Sequence, residues 1–209
     1  MWCFWVKTFY EVFLFIFTVA VDFAMYRGPL AGPVTAAAVI LPPDFPVQIL
    51  NDSKKLSEKK RIVAEAAIKE SACWGVGFAS HTEIDEINIL QASLLAMKRA
   101  FEEMQPKLSD WCKLNQLCEC DVSAMADGTF KPDILCAEIL CEPKADAKYP
   151  AVMAASILAK NARDRFMAEM DKLYPEYGYA KHKGYPTAAH IQICRRIGAS
   201  PIQRYSFTY

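Results

Sequence analysis

An α/β fold, one sheet layered with helices, is what this sequence predicts. Apolar runs of strand length alternate with longer stretches of helical periodicity, in the order strand, strand, helix, strand, helix, strand, strand, helix. The 209 residues suffice to bury one full core, and no internal repeat or low-complexity stretch divides them. With 53% of residues hydrophobic, the material for that core is present.

The first element is the uncharged run Val12 to Val21, bounded by Glu11 and Asp22. It falls short of the roughly 18–20 residues a bilayer span needs, and its β-branched and aromatic content reads as a buried strand. Lys7 is the one basic residue ahead of it and no clean A-x-A site follows, so neither a membrane anchor nor an export signal is expected. A loop rich in glycine and proline at 27–33 leads to a second apolar strand, Val34 to Leu41, closed by Pro42-Pro43. Ser57 is the expected N-cap of a helix over 58–71 whose apolar face carries Ile62, Val63, Ala66 and Ala67. Trp74, Val76 and Phe78 then alternate as a strand.

Thr82 with Asp85 reads as a capping box opening a long helix along Ile84, Ile87, Leu90, Leu94, Met97 and Phe101. Residues 106–120 break the pattern and are expected to form a loop. Strands near 121–126 and 134–140 each lead into an acidic position, a helix covers 150–172, and the tail from Tyr174 is rich in Tyr, Gly, His and Lys.

Charge and cysteine usage narrow the function classes. Acids and bases balance at 24 each with a pI near 6.8, so any polyanionic partner must be held locally rather than by a basic surface. The eight cysteines form no paired C-x-x-C framework with nearby histidines, which argues against zinc. Buried, reduced thiols of an intracellular protein are the plain reading, with Cys118-Glu119-Cys120 in an exposed loop.

Three acids stand at or just after strands: Asp22, Asp127 and Asp146. Converging carboxylates repel one another unless a divalent cation neutralises them, and two such ions ~3.5–4 Å apart can activate a water and stabilise a leaving oxygen. The same residues are also ordinary turn formers, as in Asp127-Gly128. Spacing alone leaves both readings open. Asp164 is read as structural, and His182 and His190 as surface or core residues.

The segments "RGPLAGPV", "NDSKKLSEKKR", "EIDEINIL", "ADG", "KADA", "AASILAKNARDR", "HKGYPT" and "PIQRYSF" follow one another from Arg27 to Phe207. In order and spacing they resemble the blocks of bacterial-type ribonuclease HII. The resemblance implies a ribonuclease H-like mixed sheet flanked by helices, with a short C-terminal helical and loop extension. It implies an endonuclease that hydrolyses the RNA strand of RNA–DNA hybrids and cuts 5′ of ribonucleotides embedded in duplex DNA. Two Mg²⁺ or Mn²⁺ ions, 3′-hydroxyl and 5′-phosphate products, a role in DNA replication and repair, a cytoplasmic location, a monomeric state and no membrane attachment go with it.

Residue by residue, the resemblance makes Asp127 and Asp146 metal-binding and catalytic acids, with Ala145 where the family has glycine. The first acidic block fits less simply. With one inserted residue, Asp22 is its aspartate and Phe23 stands in place of the glutamate; without the gap, Asp22 lies one residue early, which in a strand means the other face. Residues 1–26 are therefore expected to be a misjoined start or a divergent first strand, and 27–209 the catalytic domain. If the block is disabled, the alternative is a catalytically impaired relic that still binds hybrids. Arg27 and Gly28 match a loop that senses the ribose 2′-hydroxyl, Tyr185 a tyrosine that packs on the sugar, and Asn51, Ser53 and Lys54 a block near the phosphates. Lys183 and Arg204 are expected to add local positive charge there.

Overall fold

A computed structural model of the chain describes residues 28–116, 122–136 and 138–207, together with the backbone of two short strands at 13–14 and 16–19. Those strands, β1 (Phe13–Leu14) and β2 (Ile16–Val19), lie one residue apart and join two three-stranded sheets. In one sheet β2 pairs antiparallel with β3 (Val34–Ile40), which pairs antiparallel with β4 (Cys73–Ala79). In the other, β1 pairs parallel with β5 (Ser123–Asp127), which pairs parallel with β6 (Glu138–Glu142). The mixed α/β architecture expected from the order of elements is the one observed.

All seven residues of β3 are buried, because helices cover both faces of its sheet. Val34, Ala36, Ala38 and Ile40 face a core built with the long helix α2 (His81–Leu114) and β5. Ala37 and Val39 face a second core with α1 (Glu58–Ser71) and α3 (Pro150–Leu173). On β4 the side that carries Trp74, Val76 and Phe78 is the less buried one. Cys73, Gly75, Gly77 and Ala79 are buried, whereas Trp74 and Val76 are half-buried and Phe78 is exposed. The reason is the closeness of α2: a Cβ added at Gly77 would run into the Ala96 carbonyl and come within 2.5 Å of the Ala100 nitrogen.

Several helix expectations need correction. Ser57 caps α1 as predicted, its hydroxyl accepting from Lys60 N, but Ile62 and Val63 are 55% and 66% exposed and the buried residues are Ala64, Glu65 and Ile68. Glu65 is drawn inward by Arg165 and Asn161, both at 2.8 Å, and by Lys69 at 2.7 Å. Burial raises its pKa, but these hydrogen bonds and charges outweigh burial and bring it down to about 2. The capping box of α2 is Ser80 with Glu83, not Thr82 with Asp85. Asp85 is otherwise engaged, accepting from the backbone of Tyr205 and Ser206 at 2.8 Å each.

Asn88, at φ 67 and ψ 165, interrupts α2 and recaps it, its side chain accepting from the backbone N–H groups of Leu90 and Gln91. The helix then runs through Pro106 to Leu114, so much of the expected loop at 106–120 is helical. Trp111 and Cys112 pack into the core and the Trp111 indole donates to Ser71 O at 2.8 Å, contacts that outweigh the proline's missing donor. Cys118-Glu119-Cys120 lies outside the described residues.

After α3 the chain forms α4 (Tyr179–His182) and α5 (Ala188–Ile197), which close a third core with Ala31, Met167, Tyr177, Tyr179, Cys194 and Ile202. Among the described residues, no helix is long and apolar enough to cross a membrane. Gly77→Ala is expected to cost about 2–3 kcal/mol of unfolding free energy by forcing β4 and α2 apart. Urea denaturation checks this, and an unchanged midpoint would contradict the packing described.

Candidate active site

Parallel pairing brings the ends of β5 and β6 to one rim, where Asp127 stands opposite Glu142. Gly128 N donates to Glu142 O at 3.2 Å, and the chain beyond β6 turns back through Lys144 in the left-handed conformation (φ 63, ψ 32). A 3-10 turn over Ala145–Ala147 follows, and Ala145 N donates to Asp127 Oδ1 at 2.9 Å. That bond fixes the Asp127 carboxylate and brings Asp146 into the same cleft. Ala145, where the family pattern has glycine, needs no positive φ because Lys144 takes it. Its methyl group is buried in a small cluster with Met125 and Val152.

The two acids are electrostatically coupled. Burial, and then the charge of Asp146, push the Asp127 pKa up, while Lys54 opposes them. Burial, and then Asp52, do the same to Asp146, opposed by Lys54 and Lys55. Glu142, although across the ladder from Asp127, is engaged with Lys148 and with the Tyr149 hydroxyl at 2.7 Å, which lower its pKa. Hard carboxylate oxygens that resist ionising side by side suit a divalent cation such as Mg²⁺ or Mn²⁺. Asp127 and Asp146 would hold it.

These acids line a cleft of about 360 Å³ together with Lys54 and Lys144, and Leu90, Leu94, Met97 and Phe130 form its apolar wall. Lys54 is brought there by a braced loop. Arg61 donates to Leu56 O at 2.9 Å and pairs with Asp164 at 3.2 Å, and the Ser53 and Ser156 hydroxyls bond at 2.6 Å. Ser53 is thus turned into the protein, 3% exposed, and acts on the loop rather than on a ligand. Asn51 is exposed, its side chain accepting from Asp52 N at 2.8 Å. Asp164, also held by Lys160 at 2.8 Å, sits in this bracing network.

A second group of site candidates gathers around the loop Gly28–Pro33. Leu30 N donates to Gly184 O at 2.7 Å, which sets this loop against Lys183, Gly184 and Tyr185. Gly28 is buried, and a Cβ there would lie 2.9 Å from Phe207 Cε1. Lys183 and Tyr185 are half-buried, with the Tyr185 ring 5.5 Å from the Arg163 guanidinium. His182 and His190 stack at 4.2 Å and bond to Tyr177 O and Tyr185 O. Burial lowers both pKa values, so they serve the loop as neutral rings. Arg204 departs from expectation: it is 1% exposed and donates to Gly32 O and Pro33 O, so it does not reach a phosphate. Asp22 and Arg27 lie outside the described residues.

Reading the sequence missed Lys144, whose left-handed turn carries no glycine signal, and Arg163, whose burial nothing in its "ARDR" context marks.

Two half-buried carboxylates gathered with Lys54 and Lys144 beyond the ends of parallel strands suit a metal-dependent site acting on a phosphate ester. Comparison with known proteins narrows the class. The family model Ribonuclease HII matches residues 25–209. Ribonuclease HII of Treponema denticola is 55% identical over 184 residues, 87% of this chain and 93% of that protein. Ribonuclease HII of Dechloromonas aromatica is 48% identical, over 87% of this chain and 86% of its own. Among solved structures, ribonuclease H2 from Pyrococcus horikoshii OT3 shares the fold with a TM-score of 0.62 at 24% identity, covering 91% of each chain. Bst-RNase HIII in complex with Mn²⁺ does so with 0.67 at 16% identity, over 94% of this chain and 68% of that one. The chain belongs to the ribonuclease HII family.

Because both pKa values are raised, ionising the acid pair costs the metal-free protein stability, and that cost grows as pH rises through them. Asp146→Asn is therefore expected to melt a few degrees higher than the unaltered protein at pH 7 in EDTA, and to lose the stabilisation that added Mn²⁺ gives. Thermal melts with and without Mn²⁺ measure both.

Proposed function

We propose that the protein is a metal-dependent endonuclease that hydrolyses the RNA strand of RNA–DNA hybrids and cuts 5′ of single ribonucleotides in duplex DNA, acting as a monomer in the cytoplasm. The observation that carries this reading is the convergence of Asp127, Asp146 and Lys54 on one cleft in a chain of this family. When bound, two divalent ions would supply the positive charge that lowers the pKa of the attacking water and neutralises the scissile phosphate. The chain's own residues do the positioning. Ala145 N holds the Asp127 carboxylate in place, and Lys54 brings a cation to a chain of net charge +0, where a phosphate must be attracted locally. The backbone of the loop at Gly28 would meet the ribose 2′-hydroxyl at the junction, and the Tyr185 ring would pack on the sugar.

The reading extends to the first acidic block, with Asp22 as a third ligand and Arg27 beside Gly28, and residues 1–26 as the first strand ahead of a catalytic domain at 27–209. Pairing of β1 with β5 and of β2 with β3 supports that role for the segment. One observation favours the second reading, a relic that binds hybrids with impaired cleavage. Phe23 stands where the resemblance places the glutamate of the first acidic block.

A duplex carrying one ribonucleotide, incubated in Mn²⁺ and in EDTA, separates the two readings. The enzyme cleaves in Mn²⁺ alone and loses at least ~10²-fold in rate with Asp127→Asn; the relic binds without cleaving. Replacing residues 22–29 by Asp-Glu-Ala-Gly-Arg-Gly-Pro is expected to raise cleavage if that block alone limits it.

A further inference from the structure

Two guanidinium groups lie inside the protein, Arg163 of α3 and Arg204 of the C-terminal segment, each 1% exposed. Buried cations are usually paired with carboxylates. The hydrogen-bond partners here are main-chain carbonyls. Arg163 donates through Nε to Pro33 O at 3.1 Å, through Nη2 to Ala31 O at 3.2 Å and through Nη1 to Lys183 O at 2.9 Å. Arg204 donates through Nε to Gly32 O at 2.8 Å and through Nη2 to Pro33 O at 3.0 Å. All four acceptors belong to two loops, Gly28–Pro33 and Lys183–Tyr185, and Arg163 spans both.

The same two loops touch directly. Leu30 is bonded to Gly184 on its N–H side and to Arg204 N on its carbonyl side, at 2.7 and 2.8 Å. Gly184, at φ +82, is so close to its neighbour that a Cβ would lie 2.5 Å from Ala31 O. The outer rings complete the arrangement: Tyr185 lies 5.5 Å from Arg163, and Phe207, 5.4 Å from Arg204, closes over Gly28. An apolar side chain at either arginine would fill this space without the cost of desolvating a charge, a cost visible in the lowered pKa of both groups, about 9 for Arg204. What the guanidinium adds is a rigid planar fork of donors that fixes several carbonyls at once.

We propose that Arg163 and Arg204 are positioning residues that hold Gly28 and Tyr185 at the spacing a ribose-bearing nucleotide requires. Selectivity for ribose over deoxyribose then depends on this buried pair as well as on the groups that meet the sugar. The proposal rests on the ribonuclease reading above.

Two duplexes of one sequence, one all DNA and one with a single ribonucleotide, are titrated with the full chain in EDTA. The ratio of their Kd values reports ribose preference, and a melting curve accompanies each protein. The unaltered chain prefers the ribonucleotide duplex. Arg163→Lys keeps the charge but loses the fork, and is expected to bring the ratio close to one with the all-DNA Kd within about twofold. Gly184→Ala, which leaves both arginines in place and drives a Cβ at Ala31, is expected to do the same. A folded Arg163→Lys that keeps the preference overturns the proposal, and so does an equal loss of both affinities, which marks a merely structural role. If Arg163→Lys does not fold, Arg204→Lys, which loses the fork on Gly32 O and Pro33 O, decides on the same two numbers. A ratio of one in the unaltered chain fails the ribonuclease reading instead.

Discussion

The carbonyls of residues 31–33 must find donors inside the protein, and two buried guanidinium groups supply them. Pro29 and Pro33 have no N–H to give, and the ladder of this stretch is an isolated antiparallel bridge of Ala31 with Gln203. β3 begins at the next residue, Val34, and carries side chains into both main cores. Holding the loop therefore fixes where the central strand of its sheet starts. It also ties that start to α3 and to the C-terminal segment, so chain regions about 130–170 positions apart share one set of hydrogen bonds.

The rim that carries Asp127 depends on a second constraint, parallel pairing. β5 and β6 run the same way, so their ends fall together and the turn after β6 can donate Ala145 N back to Asp127. Asp127 and Asp146 then face each other's charge in a half-buried cleft. That repulsion is a liability for the folded protein, and a divalent cation bound between the two carboxylates would relieve it. Lys54 moderates it, and is itself placed by Arg61 and by the Ser53–Ser156 contact.

Much of this was legible in the sequence because it is local. The apolar run of β3, the Ser57 cap, the proline-led start of α3 and the acids after β5 and β6 each follow from a pattern within a few residues. What was not legible is decided by partners far away in the chain. Asp85 accepts from the tail at Tyr205 and Ser206, so it is not free to share a cap with Thr82, whereas the Ser80–Glu83 box is itself a local pattern. The buried face of α1 turns toward Glu65 because Arg165 and Asn161 lie across from it. Arg204 reads as a surface charge, since arginine is seldom fully buried, and only the loop carbonyls explain its place. Gly75 and Gly77 look like weak points in a strand until α2 is seen to lie against them.

Asp127 and Asp146 are proposed to bind one divalent cation between them. Diffraction from a crystal soaked in Mn²⁺, recorded at the manganese edge, tests it most directly. An anomalous peak about 2.1 Å from carboxylate oxygens of both residues, lost in Asp146→Asn, is expected. A protein that binds Mn²⁺ elsewhere, or shows no peak in this cleft at millimolar Mn²⁺, would contradict it.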